Sequence, residues 1–382
     1  MVNPEFKSFD FTVKSAERFR LITDRGKMID FSGSAMTAGY NFLDLPLATI
    51  SALVFPTEAN RKLTKKLRQI SGFEKVAYTN SGTEACDMAL SRYNSTIISF
   101  EGSYHGRSNL TFKVSNGTGI DEENHIVHLK FPTSKRSADQ CIAENNQILE
   151  QAKELLSLNG SVVIMELIQS DGGENVVTDK FLKFVQSMVS TFNMHLIVDE
   201  VYTGAGRSGE IILSRKLGIE PDIICLGKGI AAGLPMGIIL YNGEWNLPTE
   251  NGALGMLGGN DMSCRAALSV LDALTEERLE FVRSSGRDII ARLSNLNNAK
   301  ISDVRGQGFM IGVEFEDSQG KPDTKYAYRI RDLLAQNNVI CGLVGEYNNV
   351  LKITPPVLVD ENTLMEGINV IERILRDDNA SF

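Results

Sequence analysis

The sequence predicts an α/β fold, with a large domain on a mostly parallel seven-stranded sheet and a smaller α+β domain beside it. Three observations carry this. Short apolar runs alternate with segments of helical periodicity, which implies parallel strands covered on both faces. After about residue 261 the pattern changes to longer amphipathic helices with few strands. The opening segment reads as a hairpin and not as part of a βαβ unit.

In chain order, Phe19-Arg-Leu-Ile-Thr23 and Met28-Ile-Asp-Phe31 flank a turn at Asp24-Arg-Gly26. The strands of the large domain are then Val76–Thr79, Thr96–Phe100, Ile126–Leu129, Ser161–Glu166, Leu196–Asp199, Asp222–Cys225 and Gly237–Tyr241. Helical spacing in 138–158 (Cys141, Ile142, Ile148, Leu149, Ala152, Leu155, Leu156) and in 181–192 supplies crossover helices. Phe309–Phe315 and Leu351–Ile353 are strands of the second domain. The expected boundaries are 48–261 for the large domain and 262–382 for the small one, with residues 1–47 joining the latter.

Composition narrows the function. Of the 382 residues, 42% are hydrophobic and 23% charged, ordinary values for a globular chain. A net charge of −9 argues against nucleic acid as a main partner. Five scattered cysteines, an odd number, fit reduced thiols and not a disulfide framework. With four histidines and no ligand-like spacing, no metal site is expected. The amino terminus carries no export pattern and no apolar run is long enough to span a bilayer, so a cytoplasmic protein is expected.

Lys228 follows the apolar run Ile223-Ile-Cys-Leu226 and stands between Gly227 and Gly229. A lysine buried there would need a chemical reason, and desolvation would favour the neutral amine that forms imines. Asp199 closes the apolar run Leu196-Ile-Val198 at the strand end where open α/β sheets bind ligands. A carboxylate there can pair with a protonated ring nitrogen, and lysine plus aspartate are what an aldehyde cofactor with a pyridine ring requires. Ser81, Gly82 and Thr83 lie between a strand and a helix, where free N–H groups and the helix dipole suit a phosphate. An ordinary Ser/Thr cap is the competing reading of that motif.

These motifs resemble the class III, fold type I pyridoxal-phosphate aminotransferases, the group of ornithine, acetylornithine and γ-aminobutyrate aminotransferases. The resemblance rests on Asn80-Ser-Gly-Thr-Glu-Ala85, Ser103-Tyr-His-Gly-Arg107, Met165-Glu-Leu-Ile-Gln-Ser-Asp-Gly-Gly173, Leu196 to Gly209, the Lys228 segment and Val304-Arg-Gly-Gln-Gly308. It implies pyridoxal 5'-phosphate bound by Lys228 as a Schiff base, Asp199 on the pyridine nitrogen, Tyr104 and Val201 on the two ring faces, and Ser81, Gly82 and Thr83 at the phosphate. It further implies Arg107 as the grip on a substrate carboxylate, and a homodimer with the active site at the interface. The reaction would be ping-pong transfer through a pyridoxamine form, with glutamate as the usual amino donor and a keto acid or aldehyde as acceptor.

Three departures from the family pattern stand out. Tyr202 replaces the usual glutamine beside the cofactor's phenolic oxygen. Met256 replaces the threonine that reaches the neighbouring subunit's phosphate. Asp171 and Lys352 replace a glutamate–arginine pair, and they are expected to pair and to screen Arg107 or the substrate side chain. Tyr202 and the stretch Gly39-Tyr-Asn-Phe42 point to a specialised second substrate.

An aminomutase of the glutamate semialdehyde type, or a racemase, is the alternative on the same fold. A catalytically dead relative is disfavoured by the presence of both Lys228 and Asp199. Gly204-Ala-Gly-Arg-Ser-Gly209 spells a dinucleotide fingerprint, but it lies mid-chain and leads into only a short run, so a dehydrogenase is not expected.

Overall fold

The central sheet has eight strands, in the order Lys75–Thr79, Gly237–Tyr241, Ile223–Leu226, His195–Asp199, Val162–Glu166, Ile97–Phe100, Ile126–Leu129 and Gly119–Asp121. It belongs to a computed structural model that describes residues 13–31, 57–93, 95–115, 117–156, 161–243 and 254–377. Five consecutive strands, from Ile223–Leu226 to Ile126–Leu129, run parallel, while Gly237–Tyr241 is antiparallel to both of its neighbours. The eighth strand, beyond the seven expected, is Gly119–Asp121, antiparallel to Ile126–Leu129 at the edge. Three residues, one of them glycine, give no readable alternation.

Period-two alternation sends neighbouring residues to opposite faces. Ile98, Val163, Leu196 and Val198 pack on one face with Phe181, Leu182 and Leu149. Ile97, Ile164, Ile197, Ile223 and Cys225 pack on the other with Ala85, Cys86 and Ala89 of the helix Gly82–Ser91. Phe181, fully buried, meets the rings of Phe100 and Phe131 edge-on at centroid distances of 5.8 and 5.4 Å. Burying one such side chain stabilises the fold by about 1.5–3 kcal/mol. The crossover helices form where periodicity placed them, Ala138–Gln151 behind a Ser137–Gln140 capping box and Asp179–Thr191 behind the Thr178 cap.

Helices Glu58–Ser71 and Asp261–Ala273 also pack on the large sheet, and a separate set of elements builds a second core. Ile301–Gln307, Met310–Phe315, Val350–Ile353 and Gly342–Val344 form an antiparallel sheet against helices Glu276–Ser294, Thr324–Gln336 and Glu361–Asp377. The hairpin Arg20–Thr23 with Gly26–Asp30 pairs through its second strand with Val339–Ile340.

The loop Gly204–Gly209 is where the two cores meet. A Cβ on Gly206 would fall 2.7 Å from Leu274 Cδ2 and 3.0 Å from Val357 Cγ1, and one on Gly308 would fall 2.5 Å from Ser208 C. Buried Arg207 reaches across to the Pro355 and Phe309 carbonyls. Here the glycines permit close backbone packing, which accounts for the fingerprint-like spelling without a dinucleotide.

Candidate active site

Parallel register sets the chemistry side by side. Asp199 is paired with Glu166 on one neighbouring strand and with Cys225 on the other, all at strand carboxyl ends. Three residues beyond Cys225 the chain reaches Lys228, held at φ +46°, a conformation that costs a non-glycine residue about 1–3 kcal/mol. A cavity of ≈ 370 Å³ opens there, lined by the predicted residues Ser81, Gly82, Thr83, Tyr104, Asp199, Val201, Tyr202 and Lys228.

Asp199 is 5% exposed, and its carboxylate is fixed from two sides. The Val201 N–H donates to Oδ1 at 3.0 Å, and His105 Nδ1 lies 2.8 Å from Oδ2. Carboxylate oxygens accept, so this contact assigns the donor role to Nδ1. Glu166 accepts from the Tyr104 N–H at 2.9 Å, and burial, then the Asp199 charge, push its carboxyl well above the usual range. The next carboxylate, Glu200, points away from the site. It caps the short helix Leu213–Lys216 by accepting from Leu213 and Ser214, and burial raises its pKa despite those bonds.

Lys228 differs from expectation in one respect. Its side chain is exposed toward the cavity, so it is not buried among its glycines. Those glycines bring the backbone close to the helix start instead: a Cβ on Gly227 would lie 3.1 Å from Gly82 Cα, and one on Gly82 only 2.4 Å from Val201 Cγ1. The Ser81 motif is a cap, and it also faces the cavity. Ser81 Oγ caps the helix by accepting from the Glu84 N–H at 3.1 Å, and the same helix start lines the cavity.

The predicted substrate residues are less converged. Arg107 is exposed, with its guanidinium 5.8 Å from the Tyr104 ring, and it does not line the cavity. Asp171 is also exposed, and the expected Asp171–Lys352 pair is replaced. Lys352 Nζ donates to Ser170 Oγ at 2.6 Å and lies 3.6 Å from Oε1 of buried Glu174. Burial works against the Lys352 charge, but Tyr202, Glu174 and then Asp171 outweigh it and raise the ammonium above its ordinary value. Residues to which the sequence assigned no role also line the cavity: Asn80, Glu166 and His105, and the loop residues Gly233, Leu234, Pro235 and Met236. The loop's place in the same glycine-rich run as Lys228 was the available signal. Gly39–Phe42 lies outside the described residues.

The donor set fits pyridoxal phosphate. An amine is exposed for the aldehyde and a buried carboxylate stands ready for the pyridine nitrogen. The missing Cβ of Gly82 keeps the helix start open beside Val201, and the buried Tyr202 Oη lacks a hydrogen-bond partner among the described residues. Among those residues there is no cluster able to hold a metal ion.

Comparison with known proteins agrees. A family model described as "Aminotransferase class-III" matches residues 45–375. The chain is 30% identical over 352 residues to the 4-aminobutyrate aminotransferase of Mycobacterium leprae, covering 85% of this chain and 79% of that protein. It is 29% identical over 377 residues to the acetylornithine aminotransferase of Haemophilus ducreyi, covering 93% and 91%. Among solved structures, a phospholyase from Arthrobacter in complex with phosphoethanolamine superposes with a TM-score of 0.84 at 21% identity, covering 98% of this chain and 96% of the other, which speaks to the fold.

Proposed function

Because the chain belongs to the class III aminotransferases, enzymes that depend on pyridoxal phosphate, we propose that its cavity transfers an amino group from an amino acid to a keto acid or aldehyde through the residues named above. The observation that carries the assignment is the convergence of Lys228, Asp199 and the Gly82–Ser91 helix start on one cavity. The cofactor, when bound, supplies an aldehyde that carries the amino group and a ring that accepts electrons from the bond broken at the substrate carbon.

Lys228 Nζ would hold the cofactor's aldehyde and, once released as an amine, would move the proton at the substrate carbon. Asp199, held in place by His105 Nδ1 and the Val201 N–H, would pair with the pyridine nitrogen. Tyr104 and Val201, which line the cavity, would bound the ring, and Ser81, Gly82 and Thr83 would take the phosphate. Tyr202 provides the phenol nearest the lysine. Arg107, exposed at Tyr104, receives a substrate carboxylate as a bidentate fork. Glutamate is the first donor to test.

The active unit is proposed to be a cytoplasmic homodimer. Met256 and Leu257, apolar yet 60% and 48% exposed, support a partner surface. All five cysteines are buried and free, in keeping with a reducing compartment. No helix among the described residues is long and apolar enough to cross a membrane.

The test is spectroscopic. Protein loaded with pyridoxal phosphate should show a visible Schiff-base band that is lost in Lys228→Ala and shifted by an amino donor. A band that no donor shifts would sink the aminotransferase reading and favour the racemase or aminomutase chemistry of the same fold.

A further inference from the structure

Tyr202 brings an ionisable group to a place where the family pattern puts an uncharged amide. It lines the cavity together with Lys228, whose Nζ is 4.1 Å from the centroid of its ring. Lys352 Nζ is 4.2 Å from the same centroid, and the Arg207 guanidinium carbon 5.7 Å. The hydroxyl oxygen is buried and makes no bond of hydrogen-bonding geometry among the described residues, so its proton is not committed to an acceptor.

Charge decides which way that proton leans. Burial opposes ionisation of the phenol, but Lys352, Arg207 and Lys228 outweigh both burial and the Glu174 carboxylate and hold it below its ordinary value. Lys352 and Arg207 have fixed partners, Ser170 and Glu174 for the first and the Pro355 and Phe309 carbonyls for the second. They act as standing counter-charges. The two acids that line the cavity are engaged elsewhere, Asp199 with His105 and Val201 and Glu166 with the Tyr104 N–H. Of the three cations, Lys228 is the one exposed to the cavity, and its flexible stem lets the amine swing from the ring to the hydroxyl.

We propose that Tyr202 is the acid–base partner of Lys228 in amino transfer: its phenolate takes a proton from the lysine ammonium, and its phenol later returns it. One N–H bond breaks as one O–H bond forms, the pair keeps its total charge, and nothing is oxidised or reduced. A lysine of ordinary pKa, about 10.4, is charged at neutral pH. The exchange restores the neutral amine, the form that attacks an aldehyde or removes a proton, each time Lys228 is released. This deepens the aminotransferase reading and rests on it for the reaction that the lysine serves.

The test reads the phenol itself. Protein isotope-labelled at the tyrosine Cζ and loaded with pyridoxamine 5'-phosphate, which leaves Lys228 free, is titrated with pH by NMR. Of the nine tyrosine signals, the one missing from Tyr202→Phe belongs to Tyr202, with Tyr202→Gln as the assigning variant should the phenylalanine protein not fold. That signal should reach the tyrosinate position at least about one pH unit below the ordinary phenol value of about 10, with a midpoint that rises in Lys228→Ala and in Lys352→Met. Single-turnover transfer from the same loaded protein to 2-oxoglutarate or pyruvate should rise with pH through that midpoint. In Tyr202→Phe the rate should fall about tenfold or more and its rise should move to higher pH, while cofactor affinity stays within about twofold of wild type. A Tyr202 signal that stays at the phenol position up to pH about 10, a midpoint indifferent to Lys228→Ala, or a Tyr202→Phe protein that loses only cofactor affinity would each overturn the proposal. The Lys228 band and its response to donors report separately on the aminotransferase reading, and the phenol titration is decided whichever way that response falls.

Discussion

Two glycine-framed cations lie within one stretch of chain, and they do opposite things. Arg207, in Gly204–Gly209, is 3% exposed and spends its guanidinium on carbonyls of the second core. Lys228, between Gly227 and Gly229, projects into the cavity at a positive φ. In both places glycine allows backbone to approach backbone. What differs is where the cation ends, on main-chain oxygens that need a donor or in a space that needs a nucleophile. A glycine-rich run with a basic residue is therefore not a functional signal by itself; the neighbouring strand end decides.

The contrast breaks most sharply on Lys228→Ala. Amino transfer should fall by about 10³-fold or more while the unfolding temperature is unchanged, since no packing is lost. Parallel kinetics and thermal melts check this, and a destabilised variant would mean that Lys228 is structural.

Arg207→Met should do the reverse. Leaving the buried Pro355 and Phe309 carbonyls without their donor should lower stability by about 2–4 kcal/mol in urea titrations, with any loss of activity following the loss of fold. Gly82→Ala sits between the two. With its Cβ 2.4 Å from Val201 Cγ1, overpacking should cost about 1–3 kcal/mol and weaken pyridoxal phosphate binding as well, read by titrating the cofactor into apoprotein. Gly206→Ala, at φ +84° and against the flexible end of Leu274, should cost about 1–2 kcal/mol with cofactor affinity intact.

The smallest effect is one of pH. Burial and Asp199 hold the folded-state pKa of Glu166 above its unfolded value. The folded protein therefore binds this proton more tightly, and Glu166 costs stability as pH rises from the ordinary carboxylate range through the folded value. Glu166→Gln should flatten that part of the stability–pH curve measured by urea midpoints, and an unchanged curve would show that Glu166 is ionised beside Asp199.

The strands and crossover helices were legible because each buries a periodic face. Lys228, Asp199 and the Ser81 helix start were legible because strand ends and caps have local signatures. Contacts across the fold were not. His105 meets Asp199 from 94 positions away, and nothing near either residue announces it. Glu174 displaces Asp171 as the partner of Lys352 because the turn after Ser170 runs through Gly173 and Glu174 at φ +113° and +57°, so the later carboxylate turns inward. The family pattern supplied the right lysine and a neighbouring acid. Arg107 was read from its motif, yet its side chain is exposed and does not line the cavity.

The antiparallel strand Gly237–Tyr241 has a consequence for biosynthesis. It is the sheet partner of Lys75–Thr79, the strand that delivers the Gly82–Ser91 helix start, and it leaves the ribosome long after that strand does. Non-local pairing of this kind forms late. A chain lacking Gly237–Tyr241 keeps Ser81, Gly82 and Thr83 but leaves the strand that precedes them without its sheet neighbour. Cofactor capture is thereby tied to closure of the sheet, and a chain truncated before Gly237 should bind pyridoxal phosphate more weakly than the full chain.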